Sequence, residues 1–144
     1  MNYKFLAEIG IGGSFLLPAL GSVIGVFITG SATIGAWKKC YLENKPGPFI
    51  MVAFAGAPLT NVIYGFILMG QLEVSQRLTD FQLFYMGLFA GFVLLASAYT
   101  QSRVAAYASE AFAETGQGFG NFMMIIGMCE TVALFTMVFT ILSA

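Results

Sequence analysis

The sequence contains no histidine and few charged residues, and both shortages narrow what the protein can do. Only 9% of its 144 residues are charged, whereas a soluble domain carries about 25%. So few charges cannot cover the surface of a water-soluble globule, and lipid is therefore the expected solvent. The net charge of −1 predicts no basic face for nucleic acid, and the lack of histidine excludes His-ligated metal sites and histidine acid–base catalysis.

Cysteine is also scarce, with only Cys40 and Cys129 present. The first is predicted to lie in a loop and the second in the middle of a membrane helix. A pair so placed gives no basis for a disulfide, and we expect two unpaired thiols and no cysteine metal site.

The sequence contains long stretches without a charged residue. Three gaps between charged residues hold 29, 27 and 22 residues, and a fourth stretch from Gly118 onwards contains only Glu130. A helix needs about 20 apolar residues to cross the hydrocarbon core. The first gap is too long for a signal-peptide core, so we expect it to be a retained span. The pattern predicts one membrane domain over residues 1–144, with helices at about 9–36, 49–72, 81–108 and 118–143 forming two hairpins, 9–72 and 81–143.

The short connections between these helices differ in charge. The first contains Lys38, Lys39 and Lys45, and the third has Arg103 upstream. Lysine and arginine in short loops favour the cytoplasmic side. We therefore expect the first and third connections in the cytoplasm and both termini on the opposite side, although Lys4 counts against this orientation.

The second and fourth helices can be aligned with each other. At an offset of 71 residues, Gly56–Thr60 lies over Gly127–Thr131, which places Leu59 opposite Glu130. The alignment suggests two duplicated hairpins in the same orientation, and at this position only the second hairpin has a carboxylate.

Small residues are concentrated on the first and third helices. Because lipid supplies no hydrophobic drive between helices, small residues allow the close backbone approach that holds them together. One GxxxG motif fits ordinary packing within a single four-helix bundle, but small residues along most of the first helix favour a crowded inner ring of many copies. The large apolar residues of the second and fourth helices, Phe54 among them, suit an outer surface facing lipid. The predicted packing glycines are Gly21, Gly25, Gly87 and Gly91.

Glu130 lies near mid-membrane, with 15 uncharged residues before it and 14 after it. An ionised acid at that depth costs about 2.5–3.5 kcal/mol even on a lenient scale. A partner is therefore required, and an ion or proton site is the default expectation for an intramembrane acid. The other possibility is a protonated Glu130 that only donates a hydrogen bond between helices.

Polar groups on the second and third helices could surround this carboxylate. Three of them have ordinary explanations: Thr60 could bond to its own helix, Gln101 could be a solvated glutamine and Tyr64 a buried aromatic. Asn61 at mid-membrane needs a partner. Pro58 has no N–H, so the Phe54 carbonyl is expected to lose its helical partner and the kink to expose the carbonyl of Ala57. Together they offer about five oxygens, which hard cations prefer, so the set favours Na⁺ over a proton. The candidates are Glu130, Thr60, Asn61, Gln101, Tyr64 and the Ala57 carbonyl.

Four motifs stand out on the second, third and fourth helices: Pro58–Asn61, Tyr64–Phe66, Gln101–Ala106 and Gly127–Thr131. In these motifs, and over nearly its whole length, the chain resembles the proteolipid (K or c rotor-ring) subunit of V-type and archaeal-type rotary ATPases. The resemblance implies an all-α membrane protein whose two tandem hairpins assemble into a homo-oligomeric ring. ATP hydrolysis in a soluble head turns such a ring through central-stalk subunits, past a stator membrane subunit that carries an arginine. It implies a transported ion, no organic cofactor and no bond chemistry by the chain itself.

The resemblance also implies roles for single residues. In sodium-carrying members the metal ligands fall on Glu130, Thr60, Gln101 and the carbonyl of Ala57, while a steadying tyrosine falls on Tyr64. Asn61 stands where glutamine is frequent, and its amide is one methylene shorter, so a water could fill the gap. We therefore expect Na⁺ transport coupled to ATP hydrolysis. The alternatives are H⁺ transport by the same rotor component and, ranked lower, a small proton-coupled secondary transporter.

Overall fold

The structure is a computed structural model that describes residues 4–144. Within that range, four helical segments are long and apolar enough to cross a membrane. The prediction of an all-α membrane protein with four spans is therefore confirmed. The helices are α1 (Lys4–Leu42), α2 (Val52–Gly56), α3 (Thr60–Glu73), α4 (Asp80–Thr115) and α5 (Phe119–Ser143), and 3₁₀ turns at Phe49–Met51 and Ala57–Leu59 precede α2 and α3 within the second span.

The first and third spans are longer than their apolar cores. Helix α1 has 39 residues and α4 has 36, so at 1.5 Å per residue they reach about 58 and 54 Å, well beyond a hydrocarbon core of about 30 Å. The predicted bounds 9–36 and 81–108 mark the apolar part, and the backbone hydrogen bonding simply continues past it. Cys40 consequently lies buried in the last turn of α1 and not in a loop, while Cys40 and Cys129 are both free thiols.

Specific residues set where the later helices begin and end. Thr79 caps the start of α4, accepting a hydrogen bond from the Gln82 backbone N–H while the Gln82 side chain bonds back to the Thr79 backbone. The third connection is short because Gly116 and Gly118 adopt left-handed conformations, with φ of 66° and 86°, that glycine tolerates without strain. Thus α4 and α5 form a tight hairpin.

Glycines bring α1 and α4 into backbone contact. A Cβ added to Gly87 would overlap the Gly10 carbonyl, and one added to Gly21 would lie 2.8 Å from the Cα of Leu95. Gly91 meets α1 in the same way. Only residues without a side chain permit this approach, which lipid would not otherwise enforce.

Large apolar side chains cover much of the outer surface of the second and fourth spans, including Phe66 and Phe139. The expectation that Phe54 also faces lipid is wrong. Phe54 is fully buried, with its ring centroid 5.2 Å from that of Phe119 and 6.0 Å from that of Phe112. It fills the space between the end of α4 and the start of α5, where those helices converge on their short connection.

Buried polar residues separate two apolar clusters. One cluster contains Leu68, Leu72, Leu94 and Met137, and the other contains Met51, Phe54, Ala105 and Ile126. On every span, polar residues lie between the part of the helix that joins one cluster and the part that joins the other, and together they form a polar layer. Its members include Ser22 and Thr29 of α1, Asn61 of α3, Gln101 of α4 and Glu130 of α5.

Candidate ion-binding site

Glu130 lies near the middle of α5, partly buried against α3 and α4. The Tyr64 hydroxyl donates to its Oε1 at 2.6 Å, and Gln101 Nε2 donates to its Oε2 at 3.3 Å. Each carboxylate oxygen therefore has one donor from a different helix. Hydrogen bonds to a charged group are stronger than neutral ones, so both bonds stabilise a carboxylate at this depth.

The amides of Gln101 and Asn61 extend this network into the interior. Both side chains are completely buried, and Asn61 Nδ2 donates to Gln101 Oε1 at 3.1 Å. This bond orients Gln101 with its N–H groups toward Glu130. Asn61 Oδ1 is buried without a hydrogen-bond partner. Buried polar atoms are nearly always satisfied, so this oxygen is an available ligand for a cation or for a water.

The 3₁₀ turn Ala57–Leu59 interrupts the second span between α2 and α3. This break presents a further pair of oxygens. Thr60 Oγ1 donates to the Ala57 carbonyl at 3.1 Å, so these two predicted ligands lie side by side. The Ala57 N–H donates to the Phe54 carbonyl. The expectation that Pro58 leaves the Phe54 carbonyl without a partner is therefore wrong, because the tighter i→i−3 bond of a 3₁₀ turn replaces the lost helical one.

The predicted site residues thus fall into two groups. One hydrogen-bonded network joins Glu130, Tyr64, Gln101 and Asn61. The other group is Thr60 with the Ala57 carbonyl, and Thr60 shares a face of α3 with Tyr64 one turn away. The hydroxyl proton of Thr60 is used toward Ala57, which leaves the lone pairs of its oxygen available to a cation.

Three hydroxyls that support the site were not singled out from the sequence. Ser97 donates to the Cys129 carbonyl at 2.9 Å, which ties α4 to α5 one residue before Glu130. Ser22 and Thr29 donate to carbonyls at the break in the second span. Their position within long uncharged stretches was a usable signal, but the sequence does not say which carbonyl a helical hydroxyl will reach.

The arrangement offers one negative charge and several neutral oxygens. A single positive charge, as a proton or as a monovalent cation, neutralises Glu130 completely. Among residues 4–144, no three His, Cys, Asp or Glu side chains are grouped as metal ligands.

Comparisons with known proteins agree with this architecture. Residues 84–143 match the family of the ATP synthase C-subunit, and they include Gln101 and Glu130. Over 138 residues the chain is 33% identical to the K-subunit of the A-type ATP synthase of Methanocaldococcus jannaschii. That alignment covers 95% of this chain but 60% of the relative, so the chain spans about three-fifths of the relative's length. Both matches confirm the resemblance to the proteolipid family.

Proposed function

We propose that the chain acts as a non-catalytic rotor-ring subunit of a V-type or archaeal-type ATPase. Residues 84–143 match the family of the ATP synthase C-subunit, and the chain is 33% identical over 138 residues to an A-type K-subunit, which supports this proposal. In this role it carries Na⁺ across the membrane on Glu130, coupled to ATP hydrolysis. The observation that carries the proposal is the mid-membrane carboxylate of Glu130, held by donors from two other helices.

The proposed Na⁺ ligands are the oxygens around that carboxylate. Glu130 supplies the charge, and Thr60 and the Ala57 carbonyl supply neutral oxygens. Gln101 supplies its amide oxygen once that oxygen turns from Asn61 toward the ion. Asn61 contributes through its unpartnered Oδ1, directly or through a water, because its side chain is short. Tyr64 steadies the carboxylate from its other side through the 2.6 Å hydrogen bond. Oxygen ligands of this kind suit a hard cation.

In this proposal, transport depends on the neutralisation of the Glu130 charge by the bound ion. In the proposed cycle Glu130 receives Na⁺ from an aqueous half-channel beside a stator subunit, and the neutral site then rotates past lipid without an uncompensated charge. At the second half-channel a stator arginine pairs with Glu130 and displaces the ion. Each charge moved against the membrane potential costs about 2.3 kcal/mol per 100 mV. One carboxylate per four helices halves the ions moved per turn relative to one per hairpin, which suits a pump.

The proposal includes partners and a topology. Copies of the chain form a homo-oligomeric ring that contacts the stator and the central stalk. The lysine-rich first connection and the third connection face the cytoplasm, and the termini face the other side. The exposed Lys39–Glu114 ion pair, 2.6 Å between nitrogen and oxygen, joins the ends of α1 and α4 on that cytoplasmic side.

One observation favours H⁺ as the carried ion. Gln101 turns its N–H toward Glu130, and its carbonyl oxygen is already engaged by Asn61. A proton carrier needs only the carboxyl group and its donors, whereas Na⁺ would require this amide oxygen, or Asn61 Oδ1, to turn toward the ion. The second candidate is therefore the same rotor component with H⁺ as its cargo.

A protection experiment separates the two ions. A carbodiimide modifies protonated Glu130 in the detergent-extracted assembly, and the labelled residue is identified by mass spectrometry. We expect millimolar Na⁺ to slow the modification, and K⁺ at the same ionic strength to leave it unchanged. If Na⁺ gave no protection at any pH, the sodium proposal would be lost and the proton carrier would stand.

A further inference from the structure

The break in the second span is held by hydroxyl groups from α1. At the 3₁₀ turn Ala57–Leu59, the Pro58 carbonyl accepts from Ser22 Oγ at 2.7 Å. Two residues before Ala57, the Ala55 carbonyl accepts a hydrogen bond from Thr29 Oγ1, also at 2.7 Å. Two carbonyls on either side of Ala57 are thus fixed by one neighbouring helix.

The residue between these hydroxyls completes the contact. Ser22, Gly25 and Thr29 follow the i, i+3, i+7 spacing of one helix face. A Cβ added to Gly25 would lie 2.6 Å from the Cβ of Pro58. The bare backbone of Gly25 therefore admits the proline ring, and the flanking hydroxyls reach the carbonyls beside it.

These bonds are not the default for hydroxyls in helices. A serine or threonine in a membrane helix usually bonds to a carbonyl of its own preceding turn, as Ser14 does to Ile11 and Thr100 does to Ala96. Ser22 and Thr29 are almost completely buried, and the shortest bond of each crosses to the second span. The Thr29 hydroxyl also lies 3.0 Å from the Gly25 carbonyl and 3.3 Å from the Val26 carbonyl of its own helix, but the Ala55 carbonyl is nearer. These two cross-helix bonds therefore hold the break in the second span against α1.

We propose that Ser22, Gly25 and Thr29 are positioning residues for the ion site. By fixing the carbonyls of Ala55 and Pro58, they set the direction of the Ala57 carbonyl between them and of the Thr60 hydroxyl bonded to it. The inference rests on the proposed function, because it assigns α1 a role in ion affinity although none of its residues is an ion ligand.

The test measures the Na⁺ concentration that half-protects Glu130 from carbodiimide in the detergent-extracted assembly. Ser22→Ala and Thr29→Val each remove one hydroxyl, and each is expected to raise that concentration about three- to tenfold, the effect of one intramolecular hydrogen bond. The conservative variants Ser22→Thr and Thr29→Ser keep a hydroxyl and are expected to stay close to the wild-type value. Oligomer mass is measured first, so that only assembled variants are compared.

Thr33→Val is the matched control. Thr33 is also a buried hydroxyl of α1, but it bonds to Ser109 of α4 at 3.0 Å, away from the break. We expect it to lower thermal stability as much as Ser22→Ala does while leaving Na⁺ protection unchanged.

The outcomes are distinct. Unchanged protection in Ser22→Ala and Thr29→Val, or an equal loss in Thr33→Val, would overturn the inference and leave the proposed function standing. A wild-type assembly that Na⁺ does not protect would remove the sodium proposal itself, and this inference with it.

Discussion

The shortest hydrogen bond at the site joins Tyr64 to Glu130, at 2.6 Å. A membrane-buried acid must be satisfied whenever it is ionised, since lipid offers no donors. Tyr64 comes from α3 and Gln101 from α4, so the carboxylate of α5 is held from two directions. Under the proposed function, this clamp sets the position of the carboxylate and therefore determines which oxygens can bind an ion together with it.

Tyr64→Phe tests that clamp. Removing a hydrogen bond to a charged group costs about 1.5–3 kcal/mol, so we expect the half-protecting Na⁺ concentration for Glu130 to rise about tenfold or more. The exposed Tyr99 of α4 provides the control, and Tyr99→Phe is expected to have no effect. Equal protection in Tyr64→Phe and wild type would show that the hydroxyl does not position the carboxylate for the ion.

At this scale the sequence specified the residue types but not their bonds. The depth of Glu130 and the one-turn spacing of Thr60 and Tyr64 follow from counting along helices. That Asn61 donates to Gln101 depends on how α3 and α4 are rotated about their axes. Helix rotation in lipid is set by packing of small residues, and no local pattern in one helix reports it.

At the scale of the helices, α1 and α4 depend on glycine for their contact. Gly87 meets the Gly10 carbonyl with no room for a methyl group, whereas nothing lies within 4 Å of a Cβ added to Gly70 of α3. Substitutions at these two positions can therefore distinguish the effect of glycine on helix packing from its effect on helix propensity.

Gly87→Ala is expected to lower the thermal unfolding temperature of the detergent-extracted assembly, because α1 and α4 must move apart. Gly70→Ala is expected to leave it unchanged or to raise it, since alanine is favoured over glycine in a helix interior by about 0.5–1 kcal/mol. Circular dichroism during heating measures both variants. A Gly87→Ala assembly as stable as wild type would contradict close α1–α4 packing as a source of stability.

The spans themselves were predictable within a few residues from the charge gaps, because lipid excludes charge over a fixed thickness. The continuation of α1 to Leu42 was not, since hydropathy marks the lipid and not the end of hydrogen bonding. The burial of Phe54 was missed for a related reason. An aromatic residue suits lipid and a protein interior equally well, and only the convergence of α4 and α5 decides between them.

On the scale of the whole molecule, the two hairpins contribute different groups to one candidate site. The second span is broken around Pro58, and its backbone and side chains offer neutral oxygens. The fourth span is an unbroken helix that carries the only charge of the layer, where the second span has Leu59. The polar layer between the two apolar clusters therefore takes its groups from both hairpins, and under the proposed function it would hold one ion per chain.

Glu130→Gln separates transport from assembly. Glutamine has nearly the same shape and can still bond to Tyr64 and Gln101, but it cannot balance a cation. We therefore expect native mass spectrometry to give the same large homo-oligomer as wild type, while ATP-driven ion uptake into vesicles containing the whole complex is lost. Glu110→Gln, which changes an exposed acid near the end of α4, is the control and should retain uptake. If uptake survived in Glu130→Gln, Glu130 would be only a hydrogen-bonding group between helices. A dimer in place of a ring would favour a secondary transporter, because only a closed ring can return each carboxylate to the same stator.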